Sequence, residues 1–423
     1  MAAVPNVLDD LEWRGLVAHS TDRDAFRGAL GEGSLRFYVG FDPTAPSLHM
    51  GNLLQLVTAR RLQDAGHTPY ILVGGATGMI GDPRDSGERT LNSAETVSDW
   101  TERVRRQVSA FVSFEGPNAA TVVNNHDWTG PLSVIDFLRD VGKHFPVNRM
   151  LARDVVKSRL EAGISYTEFS YVLLQSMDFL HLFREHGVAL QFGGSDQWGN
   201  ITAGAELIRR ATGEHAHAFA TPLVTKADGT KYGKTEGGAL WLDGDMMSPY
   251  AFYQFWLNVE DEKVGELLRL FTFLTHEEIA DLETQTAEKP FLRLGQRALA
   301  EQVTSLVHGS DETERIKAAA AALFGGGELR SLSGPTLAAA LREAGGAAVT
   351  RDGGLPGILD LLVTAGLASS KGDARRTVSE GGAYLNNERV TDPDFVPTDA
   401  DLVAGAWLVL RRGKKNLAGV EVR

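Results

Sequence analysis

Residues 38–52 combine a short apolar run, a proline-containing turn and the start of a helical pattern. This arrangement puts His49 and Asn52 at a helix N-terminus, where backbone amides and the positive end of the helix dipole favour phosphate. Gly51 lacks the Cβ that would keep a nucleotide away from the backbone. A single histidine is more often structural, but the whole strand, turn and helix pattern favours phosphate binding.

Two lysines, Lys231 and Lys234, lie in a glycine-containing loop further along the chain. The loop is not a P-loop, because Asp228 stands where that motif requires its first glycine and no strand-to-helix pattern surrounds it. A loop of this kind could close over a polyphosphate. An ordinary solvated loop is the alternative, and the two lysines alone do not exclude it.

A third set of residues indicates a pocket for a small ligand. Tyr171, Gln175 and Asp178 follow helical spacing and share one face of an otherwise apolar helix. Such a face suggests a pocket wall for a polar-aromatic ligand, whereas a solvent-facing stripe would have polar neighbours. Asp82, after the glycine-rich segment 74–81, could hold a ligand ammonium, although a tight glycine turn explains that segment equally well.

The search for metal ligands gives little. His276 is followed by two glutamates but lacks the second histidine of a zinc-binding helix, and His215 with His217 forms a two-ligand fragment. We therefore expect no metal held by the protein itself. Magnesium carried by a nucleotide is expected for polyphosphate chemistry.

The elements that must position these residues follow an α/β pattern from Leu35 to about Phe219. Helical patterns over 53–66 and from 93, with Asn92 or Ser93 as caps, separate the short apolar runs. Parallel strands joined by helices are expected, with ligands at the carboxyl ends of the strands. The predicted strands are 37–41, 70–75, 121–125 and 188–194.

The residue pattern of the remaining chain changes twice, first to a glycine-rich stretch and then to a segment with more basic residues. Residues 245–324 show helical spacing throughout, and the glycine clusters of 325–356 suggest a semi-flexible connector around one alanine-rich segment. The segment 357–423 carries nine basic and nine acidic residues, whereas the whole chain has a net charge of −13. This segment is therefore the expected electrostatic contact for RNA, although a solvated charged face has equal weight. Its grouped cations are Arg375, Arg376, Arg411, Arg412, Lys414 and Lys415.

Composition limits the class of protein. A length of 423 residues predicts two or three domains, and 43% hydrophobic with 23% charged residues is typical of globular proteins. The chain has no cysteine, which excludes disulfides and thiolate chemistry. It shows neither a signal-peptide pattern nor a long apolar run, so we expect a cytoplasmic protein without membrane or DNA partners.

Taken together, the motifs resemble those of the bacterial tyrosyl-tRNA synthetases of class I. The segment 49–52, HMGN, is similar to the HIGH signature of that family, and 231–235, KYGKT, to its KMSKS loop. GGSDQWGN (193–200) and YVLLQSMD (171–178) resemble the tyrosine pocket. Residues 357–423 resemble the small RNA-binding module that ends these enzymes, so the resemblance spans nearly the whole chain.

The resemblance implies an α/β fold with a Rossmann-like doubly wound parallel sheet in the catalytic domain, residues 1–244, which includes a dimer-forming insertion and the KYGKT loop. A helical anticodon-binding domain is implied over 245–324, a linker over 325–356, and a small α+β ribosomal-protein-like RNA-binding module over 357–423. The implied activity is ligation of L-tyrosine to tRNA(Tyr) with ATP as substrate. A homodimer contacting through 130–165 is also implied.

The resemblance also assigns roles to individual residues. Tyr38 and Asp178 would hydrogen-bond the substrate phenol, and the remaining tyrosine-binding residues would be Asp42, Asp82, Tyr171, Gln175 and Gln197. Thr44, His49 and Asn52 would meet the ATP phosphates, and Lys231 and Lys234 the pyrophosphate. The other ATP-binding positions would be Gly40, Gly51, Gly193, Gly194 and Asp196.

Two positions depart from the family pattern. Asn52 replaces the second histidine of the signature and can still donate a hydrogen bond as a neutral group. The loop after Asp82 lacks a lysine found in many relatives, and either Arg84 or Arg89 would supply that charge.

Three rival functions remain open at this point: a tryptophanyl-tRNA synthetase, a smaller nucleotidyltransferase, and a non-catalytic RNA-binding protein on a synthetase scaffold. Tyr38 paired with Asp178 favours a phenol over an indole. The presence of His49, Lys231 and Lys234 argues against a non-catalytic RNA-binding protein.

Overall fold

The computed structural model describes residues 6–83, 92–226, 228–230, 239–325, 328–351, 354–413 and 416–423. The chain forms two compact units, each built around its own sheet. The first unit comprises Met1–Asp243 and Glu260–Ala287, and the second comprises Gly244–Val259 and Glu288–Arg423.

The first unit contains a six-stranded sheet in the order β1-β6-β5-β2-β3-β4. All neighbouring strands are parallel except β1, which pairs antiparallel with β6 at the edge. The four predicted strands are confirmed as β2 to β5. The apolar side chains of β2, β3 and β5 are buried, as expected for a sheet covered by helices, whereas those of the edge strand β4 are half-buried. The strands are β1 (His19–Ser20), β2 (Arg36–Phe41), β3 (Thr68–Val73), β4 (Thr121–Asn124), β5 (Leu190–Gly194) and β6 (His217–Thr221).

The strand order reverses between β2 and β5. From β2 the chain proceeds outward to β3 and β4, and it then returns to the other side of β2 with β5 and β6. A crevice forms at the carboxyl ends of the strands at such a switch point, which is where α/β proteins bind ligands. The predicted fold class, a doubly wound parallel sheet followed by helices and a small α+β region, is confirmed.

Helices connect these strands and begin where the sequence predicts caps. Ser93 caps α5 by accepting from the Thr96 amide at 3.2 Å, and Ser165 caps the long α10 in the same way. Gly187 ends α10 with a φ of 62°, a left-handed conformation that favours glycine. The helices are α1 (Val7–Trp13), α2 (Arg23–Gly31), α3 (Met50–Asp64), α4 (Thr77–Ile80), α5 (Ala94–Val108), α6 (His126–Thr129), α7 (Val134–Asp136), α8 (Val147–Leu151), α9 (Asp154–Lys157), α10 (Tyr166–His186) and α11 (Trp198–Thr212).

The helical region of the sequence is divided between the units. Helix α12 (Pro249–Leu257) belongs to the second unit, whereas α13 (Asp261–Phe271) and α14 (His276–Glu288) lie in the segment that returns to the first. Arg14, the C-cap residue of α1, connects this helix to that segment, because its guanidinium donates to the carbonyl of Leu274 at 2.9 Å. Among the described ranges, no helix combines the length and apolar content that crossing a bilayer requires.

The second unit combines helices with a five-stranded sheet in the order β7-β11-β10-β8-β9. Its helices are α12, α15 (Leu294–His308), α16 (Ser310–Gly325), α17 (Gly334–Glu343), α18 (Ile358–Thr364) and α19 (Lys371–Ser379). Its strands are β7 (Ala347–Val349), β8 (Ala383–Leu385), β9 (Glu388–Val390), β10 (Trp407–Arg412) and β11 (Asn416–Val422).

The described part of the glycine-rich stretch 325–356 contains the 3-10 turn Leu329–Ser331, helix α17 and strand β7. Helix α17 packs on β11, and β7 pairs in parallel with β11 through the register of Ala347 with Val420. The stretch therefore supplies the edge strand of the second sheet.

Replacing Gly419 by alanine is expected to destabilise the second unit by about 1–3 kcal/mol, the usual cost of overpacking. A Cβ there would lie 2.6 Å from the Leu341 side chain of α17 and 3.1 Å from the Trp407 ring. The measurement is the free energy of unfolding by denaturant titration. Gly372→Ala in α19 is the control, because its Cβ would come no closer than 3.8 Å to Ser370. Equal unfolding energies for both variants would contradict the packing of α17 on this sheet.

Candidate active site

Asp178 of α10 is a fully buried carboxylate at the centre of a polar network. The Asn125 amide donates to its Oδ2 at 3.0 Å, and the Trp128 indole donates to its Oδ1 at 2.8 Å. Burial raises the pKa of Asp178 from its ordinary value of 3.8 to about 7, although both donors lower it. The carboxyl therefore titrates close to neutral pH, and its ionised form has a hydrogen bond on each oxygen.

A second carboxylate, Asp42, belongs to the same network. It follows β2 and accepts from the Tyr171 hydroxyl at 2.6 Å and from the Thr77 hydroxyl at 2.6 Å. Asn125 joins the two carboxylates, because its amide also donates to Thr77 Oγ1 at 2.9 Å. The ends of β2 and β4 and the helices α4 and α10 are thereby linked at one edge of the sheet.

Glycine is required where β3 ends against this network. A Cβ at Gly74 would lie 2.0 Å from Asp42 Oδ1, and one at Gly75 would lie 2.4 Å from the Asn124 amide oxygen. Distances below 3 Å would force the carboxylate or the backbone to move. The glycine-rich segment is thus a packing requirement of the site, and it leads into Asp82.

Two buried polar atoms in the network region have no hydrogen-bond partner among the described residues: the Tyr38 hydroxyl and Gln175 Oε1. Burial, with the charges of Asp178 and Asp42, raises the pKa of the Tyr38 phenol well above its ordinary range. Tyr38 is therefore an available donor, and Gln175 an available acceptor. Leaving such groups unpaired costs about 1–3 kcal/mol each, so both atoms are candidates for hydrogen bonds to a polar ligand.

Asp82 and Gln197 meet on the other side of the strand ends. The Gln197 amide donates to Asp82 Oδ2 at 2.8 Å, and the Asn200 amide donates to Asp82 Oδ1 at 3.1 Å. Arg153 donates to the Asn200 oxygen. The Asp82 carboxylate is thus oriented by amides from the end of β5 and the start of α11, which suits a group that receives a cation.

His49 caps α3 and has its tautomer set by that role. Its Nδ1 accepts from the Gly51 amide at 3.1 Å, so the neutral ring carries its proton on Nε2. Asn52 completes a capping box, because its Oδ1 accepts from the His49 amide at 3.0 Å. Both side chains thus keep an N–H group that can donate to an anion at the helix N-terminus.

The sequence of residues 31–325 matches the family model of the class I tRNA synthetases for tryptophan and tyrosine. The chain belongs to this family. Residues 347–420 match the C-terminal domain of the tyrosine–tRNA ligase SYY type. The protein is therefore an aminoacyl-tRNA synthetase.

Curated relatives agree with the family match. The chain is 59% identical to the tyrosine–tRNA ligase of Streptomyces coelicolor and 60% identical to that of Streptomyces griseus, with 99% of each chain covered. Among solved structures, it is similar to a C-terminally truncated mitochondrial tyrosyl-tRNA synthetase of Aspergillus nidulans. That match has a TM-score of 0.69 and 30% identity, and it covers 76% of this chain and 95% of the other.

Against this synthetase fold, the structure brings together most of the residues singled out for tyrosine. Tyr171, Asp42 and Asp178 share one network, and Tyr38 and Gln175 have buried unpaired atoms. Asp82 and Gln197 are hydrogen-bonded to each other close to this network, since burial and the charges of Asp42 and Asp82 raise the pKa of Tyr171. For the nucleotide, Thr44 is exposed after β2, and Asp196 is exposed in the turn after Gly193 and Gly194. Gly40 lies in β2 itself. Lys231, Lys234, Arg84 and Arg89 lie outside the described residues.

The four described cations of the group singled out from the sequence lie on two elements of the second unit. Arg375 and Arg376 lie on α19, whose N-cap is Ser370. Arg411 and Arg412 are neighbours on β10, so their side chains lie on opposite faces of the sheet. Lys414 and Lys415 lie outside the described residues.

Sequence reasoning missed Asn125, Trp128 and Thr77, which hold the two carboxylates. Asn125 is the last residue of the predicted strand 121–125, so the rule that ligands gather at the carboxyl ends of parallel strands would have found it. Trp128 gave no signal, because α6 is too short to show a period. No group of three or more histidine, aspartate or glutamate side chains that could hold a metal ion occurs within the described ranges.

Trp128→Phe is expected to lower the free energy of unfolding by about 1.5–3 kcal/mol at pH 9 and by about 0.5–1.5 kcal/mol at pH 5. The reason is the pKa of Asp178, about 7: the folded protein holds an ionised carboxylate at pH 9 and a neutral carboxyl at pH 5. A hydrogen bond to an ion is worth more than one to a neutral group. Denaturant titrations at both pH values measure the difference.

The matched control is Trp407→Phe, in a buried tryptophan of the second sheet whose ring is contacted by Arg342, a group that stays charged at both pH values. Its effect on the unfolding energy should be the same at both pH values. A pH-independent loss for Trp128→Phe would show that the indole does not hold an ionised Asp178.

Proposed function

We propose that the protein is a tyrosine–tRNA ligase, which activates L-tyrosine with ATP and transfers it to the 3′ end of tRNA(Tyr). The observation that carries the specificity is the unpaired, buried Tyr38 hydroxyl beside Asp178. A substrate phenol could accept from Tyr38 and donate to the Asp178 carboxylate. An indole could donate but offers no oxygen to accept, so it would leave Tyr38 unpaired.

The substrate ammonium is assigned to Asp82, Tyr171 and Gln175. Gln175 Oε1 is a buried acceptor without a partner among the described residues, and Asp82 offers a carboxylate already oriented by amides. Tyr171 reaches this region with its hydroxyl on Asp42. Asp42 and Gln197 complete the pocket as groups that hold these side chains in place.

The nucleotide is assigned to the N-terminus of α3 and the turn after β5. Thr44, His49 and Asn52 would meet the phosphates, and Gly40 and Gly51 would let them approach. Asp196 with the backbone of Gly193 and Gly194 would hold the ribose. Lys231 and Lys234 would meet the departing pyrophosphate, and magnesium bound to ATP supplies further neutralisation of phosphate charge.

The reaction requires positioning and charge stabilisation, because tyrosine supplies its own nucleophile. A carboxylate oxygen of tyrosine attacks the α-phosphorus in line, the bond to the bridging oxygen breaks, and pyrophosphate leaves. The His49 Nε2 proton and the Asn52 amide stabilise the negative charge that develops on the phosphate oxygens. A ribose hydroxyl of the tRNA then attacks the carbonyl carbon of the adenylate and releases AMP.

The proposed domains follow from the need to catalyse the reaction and to bind tRNA. We assign 1–244 to catalysis, 245–324 to the anticodon, 325–356 to the linker and 357–423 to RNA binding through its arginines. Because charging of tRNA supplies translation, we place the enzyme in the cytoplasm.

A homodimer is proposed through the segment 130–165. In this segment of the first unit, large apolar side chains are exposed to an extent that is unusual for a monomer surface: Val134 is 72%, Ile135 70% and Val147 60% exposed. Leu138, Leu151 and Leu160 are exposed in the same segment. Such a surface would be covered by the same segment of a second copy across a two-fold axis.

Amino-acid-dependent ATP–pyrophosphate exchange, run with all twenty amino acids, tests the function. Tyrosine should be activated, and phenylalanine should be disfavoured by about 30-fold to 10⁴-fold in kcat/KM, because it leaves two buried groups unpaired at about 1–3 kcal/mol each. Tyr38→Phe should reduce this preference, with Tyr70→Phe on the adjacent strand as the control.

Preferential activation of tryptophan would replace the proposal with a tryptophan-specific synthetase. Exchange with no amino acid, in a protein that still binds tRNA, would instead indicate a non-catalytic RNA-binding protein.

Ile135→Glu is expected to convert the dimer to a monomer, because a charge placed at a buried apolar contact lacks a partner. Sedimentation velocity over a range of protein concentrations measures the change. Val396→Glu is the control, in an exposed valine of the second unit. A monomeric wild-type protein, or a dimer that Ile135→Glu leaves intact, would contradict the proposed interface.

A further inference from the structure

Tyr384, at the centre of β8, is contacted by two arginines from the neighbouring strands. It pairs in register with Arg411 of β10 and with Arg389 of β9, so the three side chains lie in a row on one face of the sheet. The guanidinium carbon of Arg411 lies 4.7 Å from the centre of the Tyr384 ring, and that of Arg389 lies 5.6 Å from it. Arg389 also donates to the tyrosine hydroxyl at 3.1 Å.

These two arginines differ from the other cations of 357–423 in their partners. Neither makes an ion pair with a described carboxylate, and Arg411 Nε is buried without a hydrogen-bond partner there. The other described cations of this segment are paired: Lys371 with Asp360, Arg375 with Asp394, Arg376 and Arg412 with Asp373, and Arg423 with Glu421.

The row of three lies on the face of the sheet opposite α18 and α19, the face on which α17 packs further along, beside Gly419 and Trp407. Ala383, Leu385 and Val390, which alternate with Tyr384 and Arg389 along their strands, belong to the core packed under those two helices. The adjacent Arg412 lies on that covered side, where it donates to both oxygens of Asp373 at 2.8 and 3.0 Å. Arg389 is exposed on the opposite face.

We propose that Arg389 and Arg411, both held on the ring of Tyr384, form the phosphate-contact pair through which this module binds the tRNA backbone. The inference rests on the proposed function, since it names the RNA-contacting face within it. Neither guanidinium is paired with a described carboxylate, so the phosphates of the tRNA backbone would supply the anions that these two charges lack. Guanidinium groups bind phosphate oxygens bidentately, and the stacking fixes their planes in advance. Arg412 then has a structural role.

The test is the binding of transcribed tRNA(Tyr) to the full-length protein over a series of salt concentrations. Arg389→Gln and Arg411→Gln should each reduce the slope of log affinity against log salt by about 0.7–0.9. That change corresponds to an affinity loss of about five- to eightfold at 0.1 M salt. The matched control is Arg423→Gln, which removes an exposed arginine that is already paired with Glu421.

Tyr384 is a positioning residue, and two substitutions separate its effects. Tyr384→Phe keeps the ring under both guanidiniums and should retain most of the affinity. Tyr384→Leu removes the ring and should lower affinity and slope about as much as one arginine variant does. Circular dichroism reports on folding, and if Tyr384→Leu unfolds, the two arginine variants still decide the question.

A tRNA-charging assay on the unchanged protein distinguishes failure of the proposed function from failure of the phosphate-contact pair. If that protein fails to charge tRNA(Tyr), the proposed function is wrong. If it charges tRNA but Arg389→Gln and Arg411→Gln keep the slope of Arg423→Gln, the phosphate-contact pair is wrong and the proposed function remains.

Discussion

The placement of two carboxylates in one network constrains the whole candidate active site. Asp178 is buried and Asp42 is half-buried, and removing a carboxylate from water is costly unless hydrogen bonds compensate for the lost hydration. The compensation comes from four different elements, since Tyr171 and Thr77 donate to Asp42 while Asn125 and Trp128 donate to Asp178. The strands β2 and β4, the short helices α4 and α6, and α10 must therefore all be in place for any one of these charges to be stable.

The hydrogen bonds that the two carboxylates accept determine which groups remain for a ligand to bind. Each oxygen of Asp178 accepts one protein donor and can accept another, whereas the Tyr38 hydroxyl and Gln175 Oε1 have no partner among the described residues. Under the proposed function, a substrate would be recognised through these few unmet hydrogen bonds. Discrimination by such a pocket comes from the penalty for leaving those atoms unpaired, and it exceeds what shape alone provides.

The sequence predicted the strands well because buried parallel strands are short apolar runs bounded by turn residues, and 37–41 and 121–125 match β2 and β4 to within a residue. It also predicted that Tyr171 and Asp178 share one face of an apolar helix, because both are polar residues at helical spacing among apolar ones. It could not predict Trp128, whose role depends on a tertiary contact with α10. It also could not predict β7, because three small apolar residues after a glycine pair carry no alternation. The roles of Lys231 and Lys234 stay predictions.

The pairing of β7 with β11 has a consequence for the order in which the chain folds. Residues 350–415 separate the two strands, so during synthesis β7 leaves the ribosome long before its hydrogen-bonding partner exists. Until then its backbone amides and carbonyls remain open to water or to another chain. Strand β7 is short, with Ala347, Ala348 and Val349 as its residues, which limits its capacity to template pairing with other chains during that interval.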